Sequence, residues 1–303
     1  MNIIVTGGNG FLGRNLLPKL INEKHNILQI TTDPERAEKL FGGSVKIYQF
    51  QKDDDNLKNV LKDFQPETVI HLASYLTAND DKATMLKLMD AGIMFLNYLL
   101  DALKESGLKW FINTGSFAEY YKGDGVPDPA YLYTAAKIAS RVFVDYYSKA
   151  YNFNYLTIVP YTIYGSIDSQ KKIIDIIYDS LSCDERVDLT PGNQVLDFIH
   201  LDDVTDFYMT CLSELDKIPG KSNFQLGTGT GHTLRDIAAL MEKHTGRKAN
   251  INWGGKTYRP RDVMYAVANT SLQHHLFNWK PKISLEDGIL NYINNKALYE
   301  VKA

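Results

Sequence analysis

Cysteine is close to absent from this chain. Its 303 residues hold only Cys183 and Cys211, with no C-x-x-C and no histidine at a metal-ligand spacing. That excludes a disulfide framework and a zinc ribbon, and both thiols read as inert packing groups. Long hydrophobic runs are missing too. No stretch approaches the roughly 18–20 consecutive apolar residues that span a bilayer, and Met1 leads straight into a β-branched run without a basic-then-apolar leader. The expectation is a cytoplasmic protein with no membrane partner. Charge of one sign is likewise lacking: 33 Lys and Arg stand against 36 Asp and Glu, a net charge of -3 mixed along the length. There is no basic stripe of the kind nucleic acid needs. Internal repeats and low-complexity tracts do not occur either.

What is present is ordinary globular composition, 44% hydrophobic and 23% charged, in a chain long enough for one sizeable domain and a smaller one. Short β-branched runs at 2–6, 26–32, 45–50, 67–73, 109–115 and 154–160 alternate with helical patterns near 11–23, 34–40, 55–63, 82–104 and 131–150. Near-continuous apolar strands alternating with helices predict a parallel sheet covered on both faces, a doubly wound α/β fold. After about residue 165 the rhythm loosens into helix 169–182, strands 186–189 and 197–200, helix 202–214, strand 222–227 and helix 233–245, with 249–262 as loop and short strand. The expected division is a dinucleotide-binding domain over 1–165, to which 196–215 returns, and a smaller α/β substrate lobe over 166–303.

The glycines of "NIIVTGGNGFLG" sit where a mechanism requires them. Gly7, Gly10 and Gly13 follow the first strand and lead into a helix with Phe11, Leu12, Leu16, Leu17 and Leu20 on its apolar face. Glycine there turns the chain tightly and lets backbone approach a pyrophosphate, while N–H groups at the helix start attract the anion. At the end of the second strand, "LQITTDPER" puts Thr31 and Thr32 where an acid normally accepts hydrogen bonds from the ribose of NAD, with Asp33 late and Arg36 following. This favours NADP(H), with Thr32 and Arg36 facing the phosphate. NAD(H) stays open, because the loop can bring Asp33 onto a ribose.

"YTAAK" places Tyr133 and Lys137 four residues apart, on one helical face, and Ser116 ends the fifth predicted strand, where a parallel sheet presents residues to its ligand crevice. A nearby ammonium favours ionisation of a phenol whose ordinary pKa is about 10. Ser116 would donate a hydrogen bond to the reacting oxygen and Tyr133 would pass the proton while hydride moves.

Taken together, "TGGNGFLG", "VIHLAS", "GSFAEY", "YTAAK", "PYTIYG" and "DFIHLDDV" resemble the extended short-chain dehydrogenase/reductase family, the NAD-dependent epimerases, dehydratases and reductases of nucleotide sugars, over residues 1 to about 290. The resemblance implies a Rossmann-type domain with a carboxy-terminal lobe that binds a nucleotide-diphosphate sugar, and a homodimer through a four-helix interface. It implies cofactor contacts from Phe11, Leu12, Leu72, Ala73, Ser74 and Pro160, with Lys137 also on the nicotinamide ribose. Substrate contacts are implied from Tyr75, Ser116, Thr162 and Arg259.

Within the family, Phe117 and Ala118 follow the serine where dehydratases resemble one another in carrying Asp-Glu, and Glu119 comes one place late. Gly92, Val159, Thr162 and Leu196 depart from the sugar-epimerase pattern. Leu196 removes an expected phosphate arginine, which leaves Arg259 as the diphosphate ligand and Arg261 as an added charge. "NTGSFAEYY" and "LTPGNQVLDFIHLDDV" look most like nucleotide-sugar 4-ketoreductases of the CDP-abequose and CDP-paratose synthase type. The implied reaction is NADPH-dependent reduction of a nucleotide-linked 4-keto-deoxysugar. An NAD-dependent 4-epimerase is the alternative, and a non-enzymatic NADP-sensing regulator is disfavoured because the Tyr/Lys pair is kept. His71 and His200 read as structural, and His274 and His275 have no partners at ligand spacing, so no metal is assigned. The run "KDDDN" at 52–56 reads as a solvated helix start.

Overall fold

A computed structural model describes residues 1–52, 55–166 and 171–302. Asp53 and Asp54 of the acidic run, and the first residues of the helix expected at 169–182, lie outside the described residues. The strands of the first half fall where the apolar runs place them: β1 (Asn2–Thr6), β2 (Asn26–Thr31), β3 (Lys46–Gln49), β4 (Thr68–His71), β5 (Trp110–Thr114) and β6 (Asn154–Pro160). With β10 (Ser222–Leu226) they form a seven-stranded sheet in the order β10-β6-β5-β4-β1-β2-β3, parallel at every pairing from β3 to β6. The order reverses between β1 and β4. In a doubly wound sheet that switch point opens a crevice at the carboxyl ends of the strands.

Helices α1 (Gly13–Asn22), α2 (Pro34–Phe41), α3 (Asn56–Phe64), α4 (Lys82–Leu88), α5 (Phe95–Ala102) and α6 (Leu132–Tyr151) connect these strands. Ile4, Leu28, Val69 and Phe111 of the sheet pack against Leu61, Leu96, Leu99 and Val144 of the helices. Each such fully buried side chain contributes about 1.5–3 kcal/mol of transfer free energy. Between α4 and α5 lies a π-helical turn, Met89–Met94, which the periodicity of 82–104 does not reveal. Lys82–Ala102 as a whole is long and apolar enough to cross a membrane, and among the described residues it is the one stretch that is. Its inner face, including Leu96 and Leu99, belongs to the core just described, as in the core helix of a globular domain.

The second half adds β7 (Thr162–Tyr164), α7 (Ile173–Asp179), β8 (Val187–Leu189), β9 (Val195–His200), α8 (Leu201–Ser213), β11 (Gly231–Thr233), α9 (Leu234–Thr245), β12 (Ile251–Trp253), β13 (Tyr265–Ala266), α10 (Ser271–Phe277) and α11 (Leu285–Lys302). β11, β9 and β13 form a small sheet with β7 on β9, and β12 pairs β8. The three-residue and two-residue strands β7, β11 and β13 are too short for a period to show in sequence. Phe198, Ile237, Met241 and Ile289 are centred in this half's own core.

The chain forms two compact units. The first comprises Met1–Glu119, Tyr131–Val159 and Tyr208–Phe224, and the second Tyr120–Ala130, Pro160–Phe207 and the residues from Gln225 on.

Candidate active site

The glycine turn of the first unit is built from contacts no side chain permits. Gly7 has φ +72°, and a Cβ there would lie 2.6 Å from the backbone nitrogen of Ala73. A Cβ on Gly13 would lie 2.5 Å from the Cα of Gly8, so the start of α1 packs directly on the turn. No side chain caps α1, and no acid sits in its first turn. An uncapped helix amino terminus without a competing carboxylate is a fit for a pyrophosphate. The turn is braced from below: Gln29, fully buried, donates through Nε2 to Asn9 Oδ1 at 2.7 Å, and Asn9 Nδ2 donates to the Asp33 carbonyl at 2.8 Å and to Thr31 Oγ1 at 3.2 Å.

That brace ends at the strand terminus where a ribose acid was sought. Thr31 and Thr32 stand there, and the carboxylate of Asp33 is engaged elsewhere. As the N-cap of α2, it accepts the backbone N–H of Arg36 at 3.0 Å, with Pro34 at the first helical position. Capping in this manner stabilises a helix by about 1 kcal/mol.

At the other end of the crevice α6 carries Tyr133 and Lys137 on one face. The Lys137 ammonium donates to the Thr114 carbonyl at the end of β5, 2.7 Å away. The Tyr133 phenol is buried, and the Ser116 side chain is near enough to act on it. One cavity is lined by Ala73, Ser74 and Tyr75 after β4 together with Tyr133, Lys137 and His71. Ser116, Tyr133 and Lys137 therefore converge, and Ala73, Ser74 and Tyr75 lie with them. Leu72, Phe11 and Leu12 sit on the loops after β4 and β1, while Thr32 and Arg36 flank the end of β2.

Burial sets the electrostatics here. It pushes the Tyr133 phenol well above its ordinary range, and it lowers the Lys137 ammonium to about 8. The sequence argument expected a charge nearby to favour the phenolate; in the protein, desolvation dominates and the phenol is held neutral. His71 is lowered to about 3 by burial, shares a hydrogen bond with Thr6 Oγ1 at 2.8 Å and stacks on Phe95. It is neutral across the physiological range and serves packing.

Two residues of this site escaped the sequence reading. Glu119, 1% exposed, accepts the Ser116 backbone N–H at 2.7 Å and pairs with the Arg141 guanidinium at 2.7 Å. The signal available was spacing: Tyr133, Lys137 and Arg141 recur every fourth residue on α6.

Pro160, Thr162 and Arg259 belong to the second unit, Pro160 at the end of β6 and Thr162 opening β7. Arg259 is exposed on a turn closed by its backbone N–H to Asp262 Oδ2 at 2.8 Å. Arg261, in contrast, is committed: it pairs with Asp128, donates to the Pro129 carbonyl at 3.1 Å and lies 4.2 Å over the Tyr121 ring. Asp197 of β9 is fully buried and accepts from Thr228 and Gly229 backbone N–H groups at 2.8 Å each, a structural role. His200, buried against Tyr164, occupies the space a Cβ on Gly165 would need. Among the described residues no cluster of three or more His, Cys, Asp or Glu is disposed to hold a metal.

A family model for NAD-dependent epimerases and dehydratases matches residues 3–227. The chain belongs to this family. Within it, similarity to the CDP-abequose synthase of Yersinia pseudotuberculosis reaches 30% identity over 87% of this chain and 91% of that one. The CDP-abequose synthase of Salmonella typhimurium is 26% identical over 95% of both. The fold is shared with solved epimerases: the UDP-glucuronic acid 4-epimerase of Bacillus cereus, in complex with UDP-glucuronic acid and NAD, has a TM-score of 0.86 at 23% identity, covering 99% of this chain and 100% of that one. The UDP-glucose 4-epimerase of Thermotoga maritima, with UDP-glucose, gives 0.86 at 22% identity, covering 98% and 100%. The Rossmann-type α/β class and the likeness to CDP-abequose synthases expected from the sequence both hold.

Proposed function

We propose that this enzyme reduces the 4-keto group of a nucleotide-linked 4-keto-6-deoxy or 3,6-dideoxy sugar at the expense of NADPH. The observation that carries the reading is the neutral, buried Tyr133 phenol beside Ser116. Reduction of a ketone needs a proton donor, and a phenol held in its protonated form by desolvation is one. The Gly7–Gly13 turn and Lys137 would hold the cofactor, which would supply hydride. Ser116 orients the carbonyl oxygen, Tyr133 gives it a proton, and Lys137 adds positive charge beside the phenol as that proton leaves. The CDP-abequose synthase relatives favour this substrate class. The test is to supply a panel of enzymatically made 4-keto-deoxy nucleotide sugars with NADPH and with NADH, follow loss of reduced cofactor, and identify products by NMR. Consumption of NADPH with one of them is expected; no oxidation with any removes the reading. The rival, an NAD-dependent 4-epimerase, draws on the fold shared with epimerases that bind NAD. It requires interconversion of sugars with no net oxidation in the same assay.

Preference for NADP(H) is supported by the two threonines at the end of β2 and by the engagement of Asp33 as a helix cap. Arg36 follows on the first turn of α2 and offers a planar fork for a phosphate. Arg36→Ser is expected to raise KM for NADPH about tenfold, on the order of one charge-assisted hydrogen bond, with KM for NADH nearly unchanged. Equal effects on both cofactors would remove Arg36 from the phosphate.

A homodimer fits the outer faces of the first unit's helices. Met85 and Leu86 of α4, Met94 of the π-turn, and Val142 and Tyr146 of α6 are all exposed, the last two at 66% and 62%. Apolar groups on neighbouring helices in such numbers mark an association surface, and a second copy offers the same face in return. Tyr146→Glu is expected to convert the dimer into a monomer in light scattering; an unchanged mass excludes this face.

A further inference from the structure

A carboxylate and a guanidinium face each other directly behind the serine turn. Ser116 and Glu119 close a single 3-10 turn in which the Glu119 backbone N–H donates to the Ser116 carbonyl at 3.0 Å, and the Glu119 carboxylate accepts the Ser116 backbone N–H in return at 2.7 Å. The remaining carboxylate oxygen lies 2.7 Å from Arg141. Gly115, next to the serine, has no room for a side chain because a Cβ would lie 2.7 Å from the Arg141 guanidinium and 2.8 Å from Glu119. Burying such a pair gains little stability compared with apolar packing, because both ions must be desolvated. Retention of the pair at this position therefore calls for a different consequence.

We infer that Glu119 and Arg141 are positioning residues for the catalytic trio: the carboxylate fixes the Ser116 turn and sets negative charge before Lys137, and the guanidinium ties it to the helical face bearing Tyr133 and Lys137. The effect on turnover rests on the reductase reading above; the effect on Lys137 does not. Among the described residues, the groups facing Lys137 are Tyr133, Ser140 and Arg141 from its own helix, the Thr114 carbonyl from β5, Glu119 from the turn after β5, Tyr75 from the loop after β4, and His71 from β4, which is neutral. The π-turn contributes Gly92 and no charge. Glu119 opposes the loss of the Lys137 proton and Arg141 promotes it, Glu119 having the larger effect.

The experiment follows Lys137 directly, by pH titration of protein labelled with 13C at lysine Cε, its signal assigned by its absence from Lys137→Arg. Glu119→Gln keeps an acceptor for Ser116 but removes the charge. Its Lys137 should titrate lower than wild type, by on the order of one pH unit. Glu119→Gln combined with Arg141→Met removes both charges of the pair, and its Lys137 should fall between the two. The alkaline limb of kcat should move in the same order, with KM for NADPH held. A titration unchanged in Glu119→Gln, or lower still in the double variant, overturns the inference. If the single variant does not fold, the charge-free double variant carries the comparison, and its Lys137 must still titrate below wild type. A wild-type protein inactive on every keto sugar that nonetheless shows this order removes the reductase reading and supports the pair. An active reductase whose Lys137 titration ignores Glu119 removes the pair and keeps the reductase.

Discussion

Tyr133→Phe should lower kcat by at least about a hundredfold, the scale of general acid catalysis, while the affinity for NADPH stays near normal. The substitution removes only the hydroxyl near the Ser116 side chain; the ring remains packed in its buried site on α6. Among the described residues, Lys137 donates to the Thr114 carbonyl and His71 is neutral and bonded to Thr6, so neither takes the place of the lost hydroxyl. In the wild type, turnover should fall as pH rises through about 8, where Lys137 gives up the charge that stabilises the departing proton's site. Stopped-flow oxidation of NADPH measures both. A Tyr133→Phe enzyme with unchanged kcat excludes the role given to that phenol.

Gly7→Ala should damage folding and cofactor binding together. Its backbone conformation costs an L-residue about 1–2 kcal/mol, and the new methyl would press on the backbone of Leu72 and Ala73, which β4 holds in place. Overpacking of this kind adds about 1–3 kcal/mol, and the sum lowers Tm by several degrees in a chain of this size. Any relief must come from moving the turn, which displaces the uncapped start of α1 proposed to receive the pyrophosphate. Calorimetry and quenching of intrinsic fluorescence by NADPH check the two effects. Normal Tm with normal binding would show that the turn has slack the geometry denies.

The sheet was legible because its inner strands β2, β1, β4, β5 and β6 are buried on both faces and so read as apolar runs. The serine, tyrosine and lysine were legible because helical spacing and strand ends are local facts. Glu119 and Arg141 were not, since their pairing spans a turn and a helix, and the four-residue spacing that Arg141 shares with Tyr133 and Lys137 does not name its partner. The desolvation of Tyr133 was not legible for a related reason: charge is visible in sequence, whereas desolvation is a property of the folded surroundings. The engagement of Asp33 was half visible, as Asp-Pro before a helix is a capping signal, yet the sequence reading weighed it only as a ribose ligand. The π-turn hides because one wide turn leaves the apolar periodicity of its flanks intact.

The assignment of Tyr120–Ala130 to the second unit and Tyr208–Phe224 to the first has a genetic corollary. No single break in the coding sequence yields either half whole, since a fragment ending near residue 165 would lack a segment its sheet uses and carry one its partner needs.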